Sequence, residues 1–281
     1  MTTQPDGNTV EISHTRAPTL SDINTLTSRS SDYYAAFHAQ CALEEDYYFL
    51  RRPVPTRPGH NPVRPATARA IIDVATDHVD VDNLAIDIPL MRRSKARAER
   101  LRKFYLAAWD NIKRPVKRTS VKHQNAYGIS FKKVMFDPDM WPDAPSPEDF
   151  GMVRPDGSTE VLLEDQYKAA LKDFYDKRKI LFPIRVENAN PKELMWDDSR
   201  TGMKWTIRSV DMPAESVTER YPEWQTHKSD NAPVSWTEYW DDTWYAYLAD
   251  NEFIHGPSRH GYGFNPFVAA FPAHSIDWDA G

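Results

Sequence analysis

The spacing of hydrophobic positions predicts a helix-rich first half and a strand-rich second half. Apolar residues recur every three to four positions in segments of the first half, which is the period of an amphipathic helix. This spacing predicts helices over 31–50, 66–78, 94–113 and 160–179, with another helical segment around His123. Alternation of apolar and polar residues predicts strands over 84–88, 129–136, 180–186, 205–210, 234–240, 244–248 and 267–271. A short helix is expected over 213–221, and a hairpin turn over 240–244.

This order of elements predicts an α+β fold, with N-terminal helices followed by a mainly antiparallel sheet and a few helices. Residues 1–29 are polar without apolar periodicity, so they are expected to form a flexible arm ahead of one α+β domain over 30–281. Five prolines predict an extended loop over 53–65, and the turn-dense stretch 137–157 is expected to be exposed.

Composition excludes several classes of protein. The 281 residues are 40% hydrophobic and 12% aromatic, enough to bury a core. Cys41 is the single cysteine, which excludes a disulfide framework and a thiolate cluster and indicates a reducing compartment or one indifferent to redox state. No apolar run approaches the roughly 18–20 residues of a membrane span. The sequence therefore predicts a soluble, non-secreted protein without a membrane partner.

Charge is distributed unevenly along the chain. The formal net charge is −6, yet the segment from Arg92 to Lys122 holds twelve Lys and Arg residues and two acids. A basic segment in an otherwise acidic chain favours contact with an anionic partner or with an acidic neighbour in an oligomer. The alternative interpretation is that the basic segment is a helix face exposed only to solvent.

Candidate catalytic residues are few. His255 and His260 have a spacing that predicts a loop rather than a metal site. The pairs Asp197-Asp198 and Asp241-Asp242 would suit a two-metal nuclease, but each falls in a predicted turn, where aspartate commonly binds backbone N–H groups. Cys41 is predicted to be a buried structural thiol rather than a nucleophile. Phosphate-binding glycine loops and nucleophile-elbow motifs are absent from the sequence. No catalytic residue, metal or cofactor is therefore predicted.

Aromatic residues cluster in the second half of the chain. Two interpretations compete, a stacking platform for single-stranded nucleic acid and a packed sheet core or subunit interface. Neighbouring acids such as Glu238 and Asp250 would repel phosphate, which favours the core or interface. The cluster comprises Trp236, Tyr239, Trp240, Trp244, Tyr245 and Tyr247.

Several linked passages of the sequence together resemble one family. They are Tyr47-Tyr48 with the proline-rich link after it, 101–109, 125–134, 182–186, 190–191, 195–198, 205–212, Glu215, 220–222, 234–240, 255–256, Gly261, Gly263 and 266–268. Together they resemble the N-terminal and wing region of portal proteins, the head-to-tail connectors of tailed bacteriophages. The resemblance covers most of residues 30–281. The stem, clip, tunnel loop and crown of portals are not located, so we expect a fragment of a longer portal or a shortened relative.

This resemblance implies a structural subunit, not an enzyme, in a closed ring of about twelve copies at one capsid vertex. Phage DNA would be packaged and ejected through the ring. The implied partners are further copies of the chain, the major capsid protein, the terminase, a head-tail adaptor protein and double-stranded DNA. The implied location is the virion, at the portal vertex, and the host cytoplasm during assembly.

The basic segment supplies the candidate contact residues for DNA or for a neighbouring subunit: Arg92, Arg93, Arg97, Arg100, Lys103, Lys117 and Arg118. The alternative function is a metal-dependent nuclease, or another nucleic-acid-modifying enzyme, that uses one of the two aspartate pairs. A monomeric adaptor with an aromatic binding surface is a third hypothesis.

Overall fold

A computed structural model describes residues 16–52, 66–83, 86, 88, 95–154, 156–161, 163–197 and 203–271. Its helices are α1 Leu20–Tyr48, α2 Thr67–His78, α3 Lys95–Asn111, α4 Arg114–Tyr127, α5 Glu164–Ile180 and α6 Ala214–Arg220. Its strands are β1 Ser130–Phe136, β2 Gly151–Val153, β3 Thr159–Val161, β4 Ile184–Ala189, β5 Leu194–Trp196, β6 Trp205–Pro213, β7 Pro233–Asp241, β8 Trp244–Ala249, β9 Glu252–Arg259 and β10 Phe267–Ala270. The predicted α+β class is confirmed.

The chain divides into two compact units. Unit 1 comprises Met1–Val79, Arg118–Lys133 and Asn188–Gly281, and unit 2 comprises Asp80–Lys117 and Val134–Glu187. Most of the strands belong to unit 1, whereas unit 2 contains α3, α5 and the short β2–β3 hairpin.

The centre of unit 1 is a five-stranded antiparallel sheet in the order β5-β6-β7-β8-β9. Its middle strand, β7, pairs with β6 from Pro213↔Pro233 to Trp205↔Asp241. The tight connection from β7 to β8 confirms the predicted hairpin. Because residues that face each other across paired strands share a sheet face, this register fixes the side of every β7 side chain.

The N-terminal half of α1 packs on one face of this sheet. Ile23 and Tyr34 form a buried cluster with Ile207, Tyr239 and Leu248. The Tyr34 hydroxyl also donates a 2.7 Å hydrogen bond to the Trp196 carbonyl oxygen. The helix is therefore anchored to strands that follow it by more than 150 residues.

A second cluster surrounds α6. Ala214 and Val217 pack on Val234 and Ala249, and the partly buried Trp224 packs against this cluster. A smaller sheet runs in the order β10-β1-β4, with Lys133 of β1 opposite Phe267 of β10.

Unit 2 is held by aromatic side chains that reach backbone oxygens. The indole of Trp109 on α3 donates to the Val81 carbonyl at 2.8 Å, and that of Trp141 donates to the Leu181 carbonyl at 3.2 Å. The Arg178 guanidinium of α5 lies 3.9 Å from the centre of the Trp141 ring. Phe104 contacts Phe182, with ring centres 5.3 Å apart.

The predicted start of the first helix was wrong. α1 begins at Leu20 rather than near Ser31, because Thr19 and Asp22 form a reciprocal capping box that satisfies backbone N–H groups at its start. The same hydrogen bonds hold the pKa of Asp22 below its usual value. The described part of the expected arm thus includes a helix with Ile23 fully buried, and residues 1–15 lie outside the described chain.

Other differences are local. β9 was predicted as a loop, and the short strands β2, β3 and β5 were not predicted. The proline-rich link over 53–65 lies outside the described residues, as does most of the predicted strand over 84–88.

Replacing Ile23 by alanine tests whether the start of α1 belongs to the core. We expect a loss of about 3 kcal/mol in the free energy of unfolding, because the side chain is 0% exposed and a cavity would remain. Urea unfolding followed by tryptophan fluorescence measures it. The control is Thr25→Ala on the exposed side of the same turn, and equal midpoints for the two variants would contradict this role.

Candidate functional site

Three of the predicted basic residues share one side of α3. Arg97, Arg100 and Lys103 are exposed, and their three-residue spacing keeps them within about 120° of the helix circumference. We call these three residues the α3 basic face. Within the described chain, no ion pair or hydrogen bond engages the side chains of Arg100 and Lys103. Phe104 and Tyr105 follow on the same helix, each 50% exposed.

Lys117 does not belong to an exposed basic surface. Its side chain is 5% exposed, its ammonium lies 4.0 Å from an Asp82 carboxylate oxygen, and it stands 5.0 Å above the Trp109 ring. Burial therefore removes Lys117 from the predicted contact surface, because its charge is already compensated inside unit 2.

Arg118 is also engaged, in an ion pair with Asp77 of α2. Arg92 and Arg93 lie outside the described residues. Of the five described candidates, the structure places three on one helix face and gives the other two local partners.

The aspartate pairs support turns. Asp241 is 2% exposed and accepts hydrogen bonds from the Tyr239 hydroxyl, at 2.8 Å, and from the backbone N–H groups of Thr243 and Trp244. Asp242 accepts from the backbone N–H of Asn265 at 3.1 Å.

Asp197 accepts from the backbone N–H of Lys204 at 3.3 Å, and Asp198 lies outside the described residues. These contacts fit the turn roles that the sequence predicts. Among the described side chains, no group of three or more His, Cys, Asp and Glu residues is placed to hold a metal ion.

The histidines were only partly predicted. His255 lies in β9 rather than in a loop, and its ring nitrogen Nε2 is 3.0 Å from the Tyr245 hydroxyl. His260 follows that strand, and its Nε2 lies 2.8 Å from the Asp241 carbonyl oxygen. Cys41 is buried as predicted, and burial raises the pKa of its thiol to about 12.

A buried ion pair that the sequence did not reveal lies on the sheet face opposite α1. Strand alternation places Trp236, Glu238 and Trp240 of β7 on this face. The Glu238 carboxylate is bonded to the Lys133 ammonium of β1, and both side chains are almost completely buried. Glu238 also accepts a 2.7 Å hydrogen bond from the Trp240 indole.

Aromatic rings enclose this pair. The Lys133 ammonium lies 4.4 Å from the centre of the Trp240 ring and 5.6 Å from that of Phe267. Trp240 stacks on Tyr245, and Trp236 stacks on Tyr247. Burial, and secondarily the Glu238 charge, raises the pKa of Tyr247.

The aromatic cluster is therefore in part a packed core, as the sequence predicted. Trp236, Tyr239 and Trp240 are each less than 5% exposed. The ion pair uses ordinary residue types separated by 105 positions, so no local pattern could have indicated it.

No protein-family profile matches this chain, and no curated protein sequence matches it. In the described part of the chain, no helix has the length and apolarity needed to cross a lipid bilayer.

Breaking the buried pair from one side should destabilise unit 1. We expect Lys133→Met to cost about 3–5 kcal/mol, because Glu238 would stay buried without its cation. The double variant Lys133→Met/Glu238→Gln should recover at least about 1 kcal/mol, since it removes the unpaired charge. Urea midpoints give both values.

The matched control is Lys168→Met, which removes an ammonium from the exposed ion pair with Glu164 and should leave the midpoint unchanged. A double variant no more stable than Lys133→Met alone would show that charge compensation is not what the pair contributes.

Proposed function

We propose that this chain is a structural portal subunit that forms a ring at the capsid vertex of a tailed bacteriophage, through which DNA is packaged and ejected. In this role it docks the terminase during packaging and the head-tail adaptor protein afterwards, within the shell of the major capsid protein. The proposal rests on the resemblance of residues 30–281 to the portal wing region. The α+β order of helices followed by antiparallel strands is compatible with it.

The observation that carries the proposal is the excess of positive charge exposed on α3, where Arg100 and Lys103 have no ion-pair partner in the described chain. This helix contains five cations and two acids, and it exposes Arg100 and Lys103 beside Phe104 and Tyr105. Arginine and aromatic residues are enriched at protein interfaces. A ring subunit needs such a surface, because each copy must bind a neighbour on both sides.

The metal-dependent nuclease has less support. The Asp241 carboxylate accepts from backbone N–H groups of the turn that follows β7, and the Asp242 carboxylate accepts from the backbone N–H of Asn265, which accounts for their position without a metal. Asp197 has a similar local partner.

Native mass tests the proposal. Mass photometry and native mass spectrometry of the purified 32.4 kDa chain should show a closed assembly of about twelve copies, and negative-stain images should show a ring with a central opening. The ring is expected to form in buffer without added nucleotide or metal.

A monomer at all concentrations would overturn the ring. In that case a rise in melting temperature with Mg²⁺ or Mn²⁺ would favour the nuclease, because an ion that binds only the folded state stabilises it.

A further inference from the structure

Unit 2 exposes a second charged surface, opposite in sign to the α3 basic face. The segment 137–149 contains five acids and no Lys or Arg. We call it the acidic excursion. Asp139, Asp143 and Glu148 are exposed, and no ion pair engages their carboxylates anywhere in the described chain.

We propose that the α3 basic face of one copy binds the acidic excursion of the next copy around the ring. This inference rests on the proposed function, whose subunit contact it names. Each copy contributes two different surfaces, so the contact is heterologous, and repetition around an axis closes a ring in which both surfaces of every copy are used.

The contrast with α5 in the same unit supports an external partner for both surfaces. On α5, three exposed ion pairs join residues one turn apart: Glu164 with Lys168, Asp173 with Lys177 and Asp176 with Lys179. The helix therefore neutralises most of its own charge. On α3, Arg102 pairs with Glu99 at 3.5 Å, whereas no ion pair in the described chain engages Arg100 or Lys103.

Complementarity favours a second copy of the chain over DNA. DNA would compensate the α3 basic face but would be repelled by the acidic excursion, which belongs to the same unit. A neighbouring copy compensates both surfaces. It also covers apolar side chains on each, since Phe104 and Tyr105 are half exposed on α3 and Met140 is 37% exposed in the excursion.

The acidic excursion is held in a defined shape, which lowers the entropic cost of binding. The Asp137 carboxylate accepts from the Asp139 backbone N–H at 3.3 Å. Ser146 and Asp149 form a capping box around a short 3-10 turn. Between these turns, the Trp141 ring is fixed by Leu181 and Arg178. Asp139, Asp143 and Glu148 themselves remain available.

Charge reversal on each surface tests the contact. Arg100→Glu/Lys103→Glu and Asp143→Lys/Glu148→Lys should each raise the dissociation constant between copies about 100-fold, because two attractions become repulsions. Mass photometry over a dilution series measures it. The control Lys168→Glu/Lys172→Glu on α5 changes the net charge of unit 2 by the same amount as Arg100→Glu/Lys103→Glu does, and it should assemble as the native chain does.

Mixing the two reversed variants gives the decisive result. Each reversed surface then meets its complement on the other variant, so rings of alternating copies should form at a concentration at which neither variant assembles alone. Assembly of either variant alone with the dissociation constant of the native chain, or failure of the mixture to assemble, would overturn the contact.

A second experiment uses the native chain. Carbodiimide joins a lysine to a carboxylate only when the two are in direct contact. In an assembly of mixed nitrogen-15-labelled and unlabelled copies, we expect crosslinks from Lys103 to Asp139, Asp143 or Glu148 in peptide pairs of mixed isotope content. Crosslinks of Lys103 confined to single copies would contradict the inference.

These outcomes separate the inference from the function on which it rests. A native chain that never assembles overturns both. A native ring that persists in both reversed variants retains the portal proposal and rejects this contact. If Arg100→Glu/Lys103→Glu forms rings that no longer retain double-stranded DNA, the α3 basic face binds DNA, and the contact with the acidic excursion is rejected.

Discussion

The buried ion pair between Lys133 and Glu238 is the constraint on which the packing of unit 1 depends. Each charge would cost several kcal/mol to remove from water, so neither is tolerated without the other. The bond joins β1 of the small sheet to β7 at the centre of the large one. The Lys133 ammonium is enclosed by Trp240 and Phe267 and compensated by Glu238, from which we infer that the ion pair fixes how these two strands meet.

The two faces of the large sheet are thereby stabilised in different ways. Against α1, burial of Ile23, Tyr239 and Leu248 is enough, because these side chains need few polar partners. On the other face, each buried polar side chain needs a hydrogen-bond or ion-pair partner. Glu238 meets this requirement with Lys133 and the Trp240 indole, and Arg208 forms a 2.8 Å bond with Glu193. Unit 1 therefore compensates these charges internally.

Sequence patterns predicted most elements because apolar periodicity reflects which side of an element is buried. The predictions failed where the pattern of apolar residues did not reflect the structure that forms. The start of α1 was missed because its apolar residues are sparse and the helix is defined by the Thr19–Asp22 capping box. β9 was missed because Gly256 and Pro257 interrupt it, and such residues usually mark a turn.

The candidate residues show a similar limit. Lys117 and Arg118 are adjacent in a basic run, yet one is buried beside Trp109 and the other is half exposed beside Asp77. A count of charges along the chain cannot distinguish them, because burial depends on partners far away in sequence. The charge pattern predicted an exposed group only on α3, because helical spacing alone determines which of its side chains share a face. There, Arg97, Arg100 and Lys103 lie together on one side of the helix.

Charge that a folded chain leaves exposed to water differs in kind from charge that it buries. The Lys133–Glu238 bond contributes only within one copy and is largely shielded from salt, since water and counterions do not reach it. The α3 basic face and the acidic excursion remain in water, where each favours encounter with a surface of opposite sign. Subunits that associate through such surfaces respond to ionic strength, while their own folding does not depend on the contact. If copies of the chain associate as we propose, a core fixed by a buried ion pair lets each copy fold first and assemble afterwards.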